Sequence, residues 1–338
     1  MLALGVGDRS QAGPRNSLTT KIDRSLWNKD FKRIATKAMT KAKANQFFPE
    51  HPCDLRCIPK TDTAEYEYVG WFQHSLRRLG MAAAYSLIWC FGLLSIFCSQ
   101  RASTRLFQVW SRLWMKTTGA RVEISGDLSS NTPILLVANH MSYFDMIIMM
   151  TAHPFVMVNA QEMRKHPLLG RILRNTGAIF VTRESLSSLR DFVADVSAAL
   201  GRGNSVVVFP EGRIRCSAPG GPFAPAVMQA AIDTGVPVRP VLMWCELADG
   251  RPTSRASWLG TEPLRHSLQR LQRIRGLTVK LRVFPDIDPA GVSNRNDLAR
   301  LARASLAAAS DHFPATCISI QPTDLLEASV AGIEVAQP

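Results

Sequence analysis

Acidic side chains are scarce in this chain: 27 Asp and Glu stand against 40 Lys and Arg, a formal net charge of +13. That deficit points to anionic partners, whether nucleic acid, an anionic membrane face or a phosphorylated substrate. No known nucleic-acid motif accompanies the charge, so nucleic acid is not expected as a partner. Cysteine is sparse too. The seven cysteines, at 53, 57, 90, 98, 216, 245 and 317, are odd in number and scattered, and no cleavable signal pattern opens the chain. A disulfide scaffold is therefore excluded from the reading, and a cytosol-facing location is expected. His51, Cys53 and Cys57 lie close together, but no fourth ligand is evident and the spacing matches no zinc module, so no metal is expected. No Gly-x-Ser-x-Gly surrounds Ser142, which argues against a serine nucleophile beside His140.

Charge is missing altogether from Leu79 to Gln100, where Leu87, Ile88, Trp89, Phe91, Leu93, Leu94, Ile96 and Phe97 make most positions apolar. Such a run is long enough to cross a bilayer, and membrane association is the expectation, as a span or as a re-entrant or half-buried hairpin. Arg77 and Arg78 precede it and Arg101, Arg105 and Arg112 follow, so positive charge does not choose an orientation. Upstream, Lys21 to Lys43 holds eight basic and two acidic residues, with Trp27, Phe31, Ile34 and Ala38 at helical spacing. That is a basic amphipathic helix, either packed on the domain or lying on an anionic surface.

The organisation expected from these patterns is a disordered start over 1–20 and the basic helix with a proline-broken linker over 21–70. A membrane-associated helical segment follows over 71–118, then one catalytic domain over 119–312 and a flexible tail over 313–338. Within the domain, apolar runs at Ile134–Val137, Phe155–Val158, Ala178–Val181, Val206–Phe209, Val238–Trp244 and Val279–Phe284 read as strands. They alternate with helical stretches near 143–152, 161–174, 186–201, 224–234 and 294–309. The fold expected is α/β, with a mixed, largely parallel sheet flanked by helices.

Asn139-His140-Met141-Ser142-Tyr143-Phe144-Asp145 follows the first of these runs. Helical neighbours are three or four apart. A five-residue separation thus pairs His140 with Asp145 only if His140 lies in the turn before the helix. There the acid fixes one imidazole tautomer and raises ring basicity, as a general base requires. Three more blocks lie at strand ends, where α/β sheets gather ligands. Gly177 to Arg183 places an arginine past a strand, suited to clamping a phosphate. Phe209-Pro210-Glu211-Gly212-Arg213 joins a rigid turn, an acid and a base. Val236-Pro237-Val238-Arg239-Pro240-Val241 sets two prolines in an apolar strand, restricting it to an edge or an irregular position where it could wall an apolar groove.

In this order the blocks resemble the four motifs of the glycerolipid acyltransferase family, whose best-known members are 1-acylglycerol-3-phosphate acyltransferases. The resemblance covers roughly residues 120 to 285 and includes Glu162 to Gly170 as a connecting stretch. It implies transfer of a fatty acyl group from acyl-CoA or acyl carrier protein to the free hydroxyl of a lysophospholipid, foremost 1-acylglycerol-3-phosphate, at the membrane and without cofactor. His140 and Asp145 would be catalytic. Arg183, Glu211, Gly212 and Arg213 would bind substrate, with amides near Gly212 receiving the oxyanion. Asn139, Gly177, Pro210 and Pro237 would support them. The third block departs from the family's Phe-Pro-Glu-Gly-Thr-Arg-Ser, having Arg213-Ile214-Arg215 instead. Arg213 or Arg215 then takes over the anion contact, or the acceptor is another lyso-lipid, such as lyso-ornithine lipid. The non-enzymatic alternative is a basic membrane-binding protein.

Overall fold

The computed structural model describes residues 68–182, 186–212, 214–215, 223–258 and 262–308. The basic helix of 21–43, the His51, Cys53 and Cys57 group and the tail beyond 312 lie outside them. The chain begins with two helices, α1 (Trp71–Leu94) and α2 (Gln100–Thr118), followed by β1 (Arg121–Ser125) and β2 (Leu135–Ala138). Then come α3 (Asp145–Ala152), β3 (Val156–Ala160), α4 (Gln161–Arg164), α5 (Leu169–Asn175), β4 (Ile179–Val181), α6 (Leu186–Gly201) and β5 (Val206–Val208). The chain continues with α7 (Met228–Thr234), β6 (Val238–Glu246), α8 (Leu264–Arg273), β7 (Thr278–Val283) and α9 (Arg295–Ala307).

The strands form one seven-stranded sheet in the order β1-β7-β6-β2-β5-β3-β4. All neighbouring pairs are parallel except β6 with β7. The mixed, largely parallel sheet expected from the apolar runs is thus present. β2 is central and fully buried on both faces, which is why it reads as an unbroken apolar run. Its alternation splits the core in two. Leu136 and Ala138 face a layer built from α1, α2 and α3, whereas Leu135 and Val137 face one built from α6, α7 and α9. In α9, Leu298, Ala302 and Leu306 recur every fourth residue on the buried side, and Asn294 caps the start by accepting from the amides of Asn296 and Asp297.

Four expectations need correction. First, the apolar run from Leu79 to Gln100 does not form one membrane span. α1 ends at Leu94, Ser95 bonds back to the Gly92 carbonyl, and Ser99 caps a second helix that returns along the first. Among the described residues no helix is long and apolar enough to cross a membrane. Arg77 does not flank a span either, because its guanidinium donates to the carbonyls of Gln272 and Ile274 and joins α1 to the end of α8. Second, the helix expected over 161–174 breaks into α4 and α5 around Pro167, which has no amide hydrogen to continue it.

Third, of the two placements expected for the segment with Pro237 and Pro240, the edge is ruled out, because β6 lies between β7 and β2, and the irregular position holds. It is irregular at Pro240. The regular ladder with β7 stops at Val241 with Val283, and the next bridge pairs Val238 with Ile287, so the missing amide falls at a bulge. Fourth, β1 and α8 arise where no element was expected.

The helical hairpin shares a core with the sheet. Trp110 donates through its indole to the Ala84 carbonyl at 2.8 Å, and Trp114, 1% exposed, sets its ring 4.8 Å from Phe144 at the foot of α3. Emptying a fully buried tryptophan site removes transfer energy and leaves a cavity. Trp114→Ala is expected to destabilise the fold by about 3–5 kcal/mol in denaturant titration, whereas Leu113→Ala, exposed on the preceding position of the helix, is expected to change it by about 0.5 kcal/mol or less.

Candidate active site

The turn between β2 and α3 is organised by one carboxylate. Asp145, wholly buried, opens α3, and its Oδ2 accepts from His140 Nδ1 at 2.8 Å, the Met141 amide at 2.6 Å and the Ser142 amide at 2.9 Å. Its Oδ1 accepts the Ser142 hydroxyl at 2.6 Å. Ser142, a nucleophile in the rejected hydrolase reading, is thus committed to holding the acid. With Asp145 ionised, the hydrogen on His140 belongs on Nδ1, which leaves Nε2 as the basic nitrogen. His140 is 19% exposed, and its ring stacks on Phe209 with centroids 4.4 Å apart and planes 14° from parallel. The arrangement can accept a proton from a substrate hydroxyl and hold the resulting imidazolium against a buried acid.

Neighbouring segments hold the turn from both sides. Asn139 acts as a surrogate backbone unit, its Nδ2 donating to the Met243 carbonyl at 2.9 Å and its Oδ1 accepting the Met243 amide at 2.7 Å. This extends the β2–β6 ladder one step past Ala138 and Val241. The His140 carbonyl accepts the Arg215 amide at 2.7 Å, and the Met141 carbonyl accepts the Trp258 amide at 2.9 Å. Tyr143 is half exposed, its ring 4.5 Å from that of Trp258, and burial pushes its phenol above the ordinary range. Beneath the turn is a small apolar void lined by Met115, Met141, Phe144, Ile148 and Cys245. Burial, with Asp145 and Glu246 nearby, keeps the Cys245 thiol protonated, so it offers no second nucleophile.

The third sequence block meets the turn because β5 pairs with β2. Past β5, Phe209 reaches the His140 ring, and Pro210 accepts the Ala224 amide through its carbonyl. Glu211 has a fully buried side chain with Oε2 3.5 Å from Arg215 Nε. Gly212 takes φ +63, a conformation that favours glycine, and its amide donates to the Phe209 carbonyl at 3.0 Å. The turn thus uses the Gly212 amide itself, and the expectation that amides near Gly212 receive the oxyanion refers to its neighbours. Arg213 lies outside the described residues, as does Arg183.

Gly177, with φ +74, ends α5 rather than entering the site; the amides of Gly177 and Ala178 close the helix on the Arg174 and Leu173 carbonyls. Pro237 precedes β6 and accepts the Leu135 amide at 3.0 Å. Sequence reasoning missed Phe209, Tyr143 and Trp258 as neighbours of His140. Their position inside the first and third blocks was the available signal for Tyr143 and Phe209, but Trp258 had none. Among the described residues no group of three His, Cys, Asp or Glu could hold a metal ion.

A family model described as Acyltransferase matches residues 120–244, from the start of β1 into β6. A 1-acyl-sn-glycerol-3-phosphate acyltransferase of Neisseria gonorrhoeae is 32% identical over 148 residues, 44% of this chain and 58% of that protein, so the match spans less than two thirds of its length. A lyso-ornithine lipid O-acyltransferase of Pseudomonas aeruginosa is 30% identical over 207 residues, 60% of this chain and 79% of that protein. The crystal structure of the 1-acyl-sn-glycerophosphate acyltransferase PlsC from Thermotoga maritima superposes with a TM-score of 0.54 at 18% identity. It covers 71% of this chain and 95% of the other, a likeness of fold. The chain belongs to the glycerolipid acyltransferase family.

Proposed function

We propose that this protein transfers a fatty acyl group from an acyl thioester, acyl-CoA or acyl carrier protein, to the free hydroxyl of a lysophospholipid, foremost 1-acylglycerol-3-phosphate to give phosphatidic acid. The observation that carries the reading is the 2.8 Å contact of His140 Nδ1 with an acid held in place by three further donors. An alcohol is barely ionised at neutral pH. His140 Nε2 takes its proton as the oxygen attacks the thioester carbonyl. The carbon–oxygen bond forms, the carbon–sulfur bond breaks, and the imidazolium returns the proton to the departing thiolate. Asp145 orients the ring and stabilises its charge. The thioester supplies the driving force, so the step calls for neither metal nor cofactor.

In the same reading Arg183 binds the acceptor phosphate, and Glu211 with Arg213 and Arg215 shapes the head-group site. Asn139 and Pro210 hold the backbone around it, whereas Gly177 and Pro237 precede β4 and β6 at the opposite end of the sheet and support the fold. A second acceptor, lyso-ornithine lipid, is favoured by two observations: the Pseudomonas relative matches over 207 residues against 148 for the Neisseria relative, and Arg213-Ile214-Arg215 displaces the arginine of the family's third motif. A panel of the two lyso-lipids with labelled acyl thioester separates the acceptors.

The hairpin supports action at a bilayer, and a cytoplasm-facing catalytic domain belongs to the same reading. Trp71, Phe72, Leu79, Trp89, Leu93 and Phe97 are more than half exposed on and just past α1. On α2, Arg101, Arg105, Arg112 and Lys116 lie along one exposed stripe. Apolar side chains beside a row of cations match an interface of acyl chains and anionic head groups.

Two outcomes are expected. His140→Ala is to lower acyl transfer by about 10²–10⁴-fold with the fold intact; equal transfer by variant and wild type would sink the mechanism and favour a membrane-binding protein without catalysis. Replacing Trp89, Leu93 and Phe97 together by serine is to weaken co-sedimentation with anionic vesicles by at least ~10-fold, since a fully buried large apolar side chain contributes about 1.5–3 kcal/mol. Unchanged sedimentation would assign the anchor elsewhere.

A further inference from the structure

On the side of the His140 turn away from Phe209, residues 253–258 form a buried polar segment held by an arginine that none of the four sequence blocks contains. Thr253, Ser254, Arg255 and Ser257 are all buried. Such a stretch needs its carbonyls satisfied, and Arg270 of α8 does this. Its Nε donates to the Arg255 carbonyl at 2.6 Å, one terminal nitrogen donates to the Ser257 carbonyl at 2.6 Å, and the other pairs with Glu262 Oε1. Trp258 Nε1 donates to the Glu262 carbonyl at 2.7 Å, closing the loop on itself. The planar guanidinium thus spans three acceptors in one rigid fork, which the single ammonium of a lysine cannot do.

The loop's contact with the catalytic turn is made by Trp258. Its amide donates to the Met141 carbonyl at 2.9 Å, and its ring lies 4.5 Å from Tyr143. The Met141 amide on the same residue donates to Asp145 Oδ2 at 2.6 Å. From these contacts we infer that Arg270, Glu262 and Trp258 are positioning residues for the acyl transfer proposed above, fixing the turn that aligns His140 with Asp145. The inference rests on that reading for its effect on catalysis, whereas the mechanical link stands on the contacts alone. None of the three need touch substrate. Their loss slows the chemical step by letting the base drift, and leaves substrate binding in place.

The test uses the full chain. In the paired variant Glu262→Met, Arg270→Met, which removes both members of the ion pair, kcat is expected to fall by about 10- to 100-fold with KM for both substrates near wild type, and the loss of the donor to the Arg255 and Ser257 carbonyls is expected to lower the melting temperature. Hydrogen exchange at the Met141 and Ser142 amides is expected to quicken while the amides of β6 keep their protection. Arg270→Lys is expected not to restore kcat. Should the paired variant fail to fold, Trp258→Phe keeps a ring against Tyr143 and removes the bond to Glu262, and the same signs in weaker form are expected. Wild-type kcat, or unchanged exchange at Met141 and Ser142 in a folded variant, overturns the inference. A wild type that transfers no acyl group refutes the proposed function instead, and the exchange measurement still decides whether the clamp exists.

Discussion

A carboxylate with no exposure to water has to be satisfied on the spot, and at Asp145 that requirement shapes the chain around it. An ionised acid taken out of water costs several kcal/mol unless each oxygen finds donors. Its four donors all come from His140, Met141 and Ser142, the residues three to five before it. The amides can reach back only if the backbone turns sharply before α3 begins. That turn, in turn, carries the imidazole to the acid. The five-residue spacing is therefore a consequence of the carboxylate's hydrogen-bonding demand as much as of its pairing with the histidine. The acid also sits in the first turn of a helix, where negative charge is favoured.

The order of the sheet decides what meets this turn. With β2 between β6 and β5, the segments that leave β5 and β6 at the same end arrive on its two sides. One delivers Phe209, Glu211 and Arg215, and the other delivers Thr253 to Trp258. Ligands of open α/β sheets lie at the carboxyl ends of parallel strands, and here the strands that matter are adjacent in space but far apart in sequence. Asn139 shows how closely the two are joined, since its amide substitutes for a peptide unit in the ladder to Met243.

Much of this was legible in the sequence, for an identifiable reason. Strands buried on both faces, such as Leu135–Ala138 and Val206–Val208, are apolar at every position, and the His140–Asp145 spacing excludes a regular helix. What escaped notice was polar. β1 is Arg-Val-Glu-Ile-Ser with four of five residues exposed, and α8 has Leu271, Ser267 and Gln272 as its buried residues, so neither shows the apolar signal of an element. The apolar run at 79–100 was legible as composition but not as geometry. Whether uncharged residues cross a bilayer or fold back depends on Ser95, Ser99 and the stripe Met81, Ala84 and Ile88 having a partner to pack on. Trp258 was beyond reach because its importance comes from Arg270, twelve residues onward on α8.

The hairpin and the reactive turn prove to be one mechanical unit. α2 is exposed along its cationic stripe, yet on its opposite face Phe107, Trp110 and Trp114 stack in succession and end against Phe144, the residue before Asp145. A packed aromatic row resists deformation, because interiors at crystal-like density have no room to absorb a shift. Whatever surface the exposed faces of α1 and α2 settle on is thereby held at a fixed relation to Asp145 and to the imidazole it orients. In the acyl transfer proposed above, whose acceptor and product reside in lipid, that relation would be useful: the depth and tilt of His140 with respect to a bilayer would be set by the core of the protein.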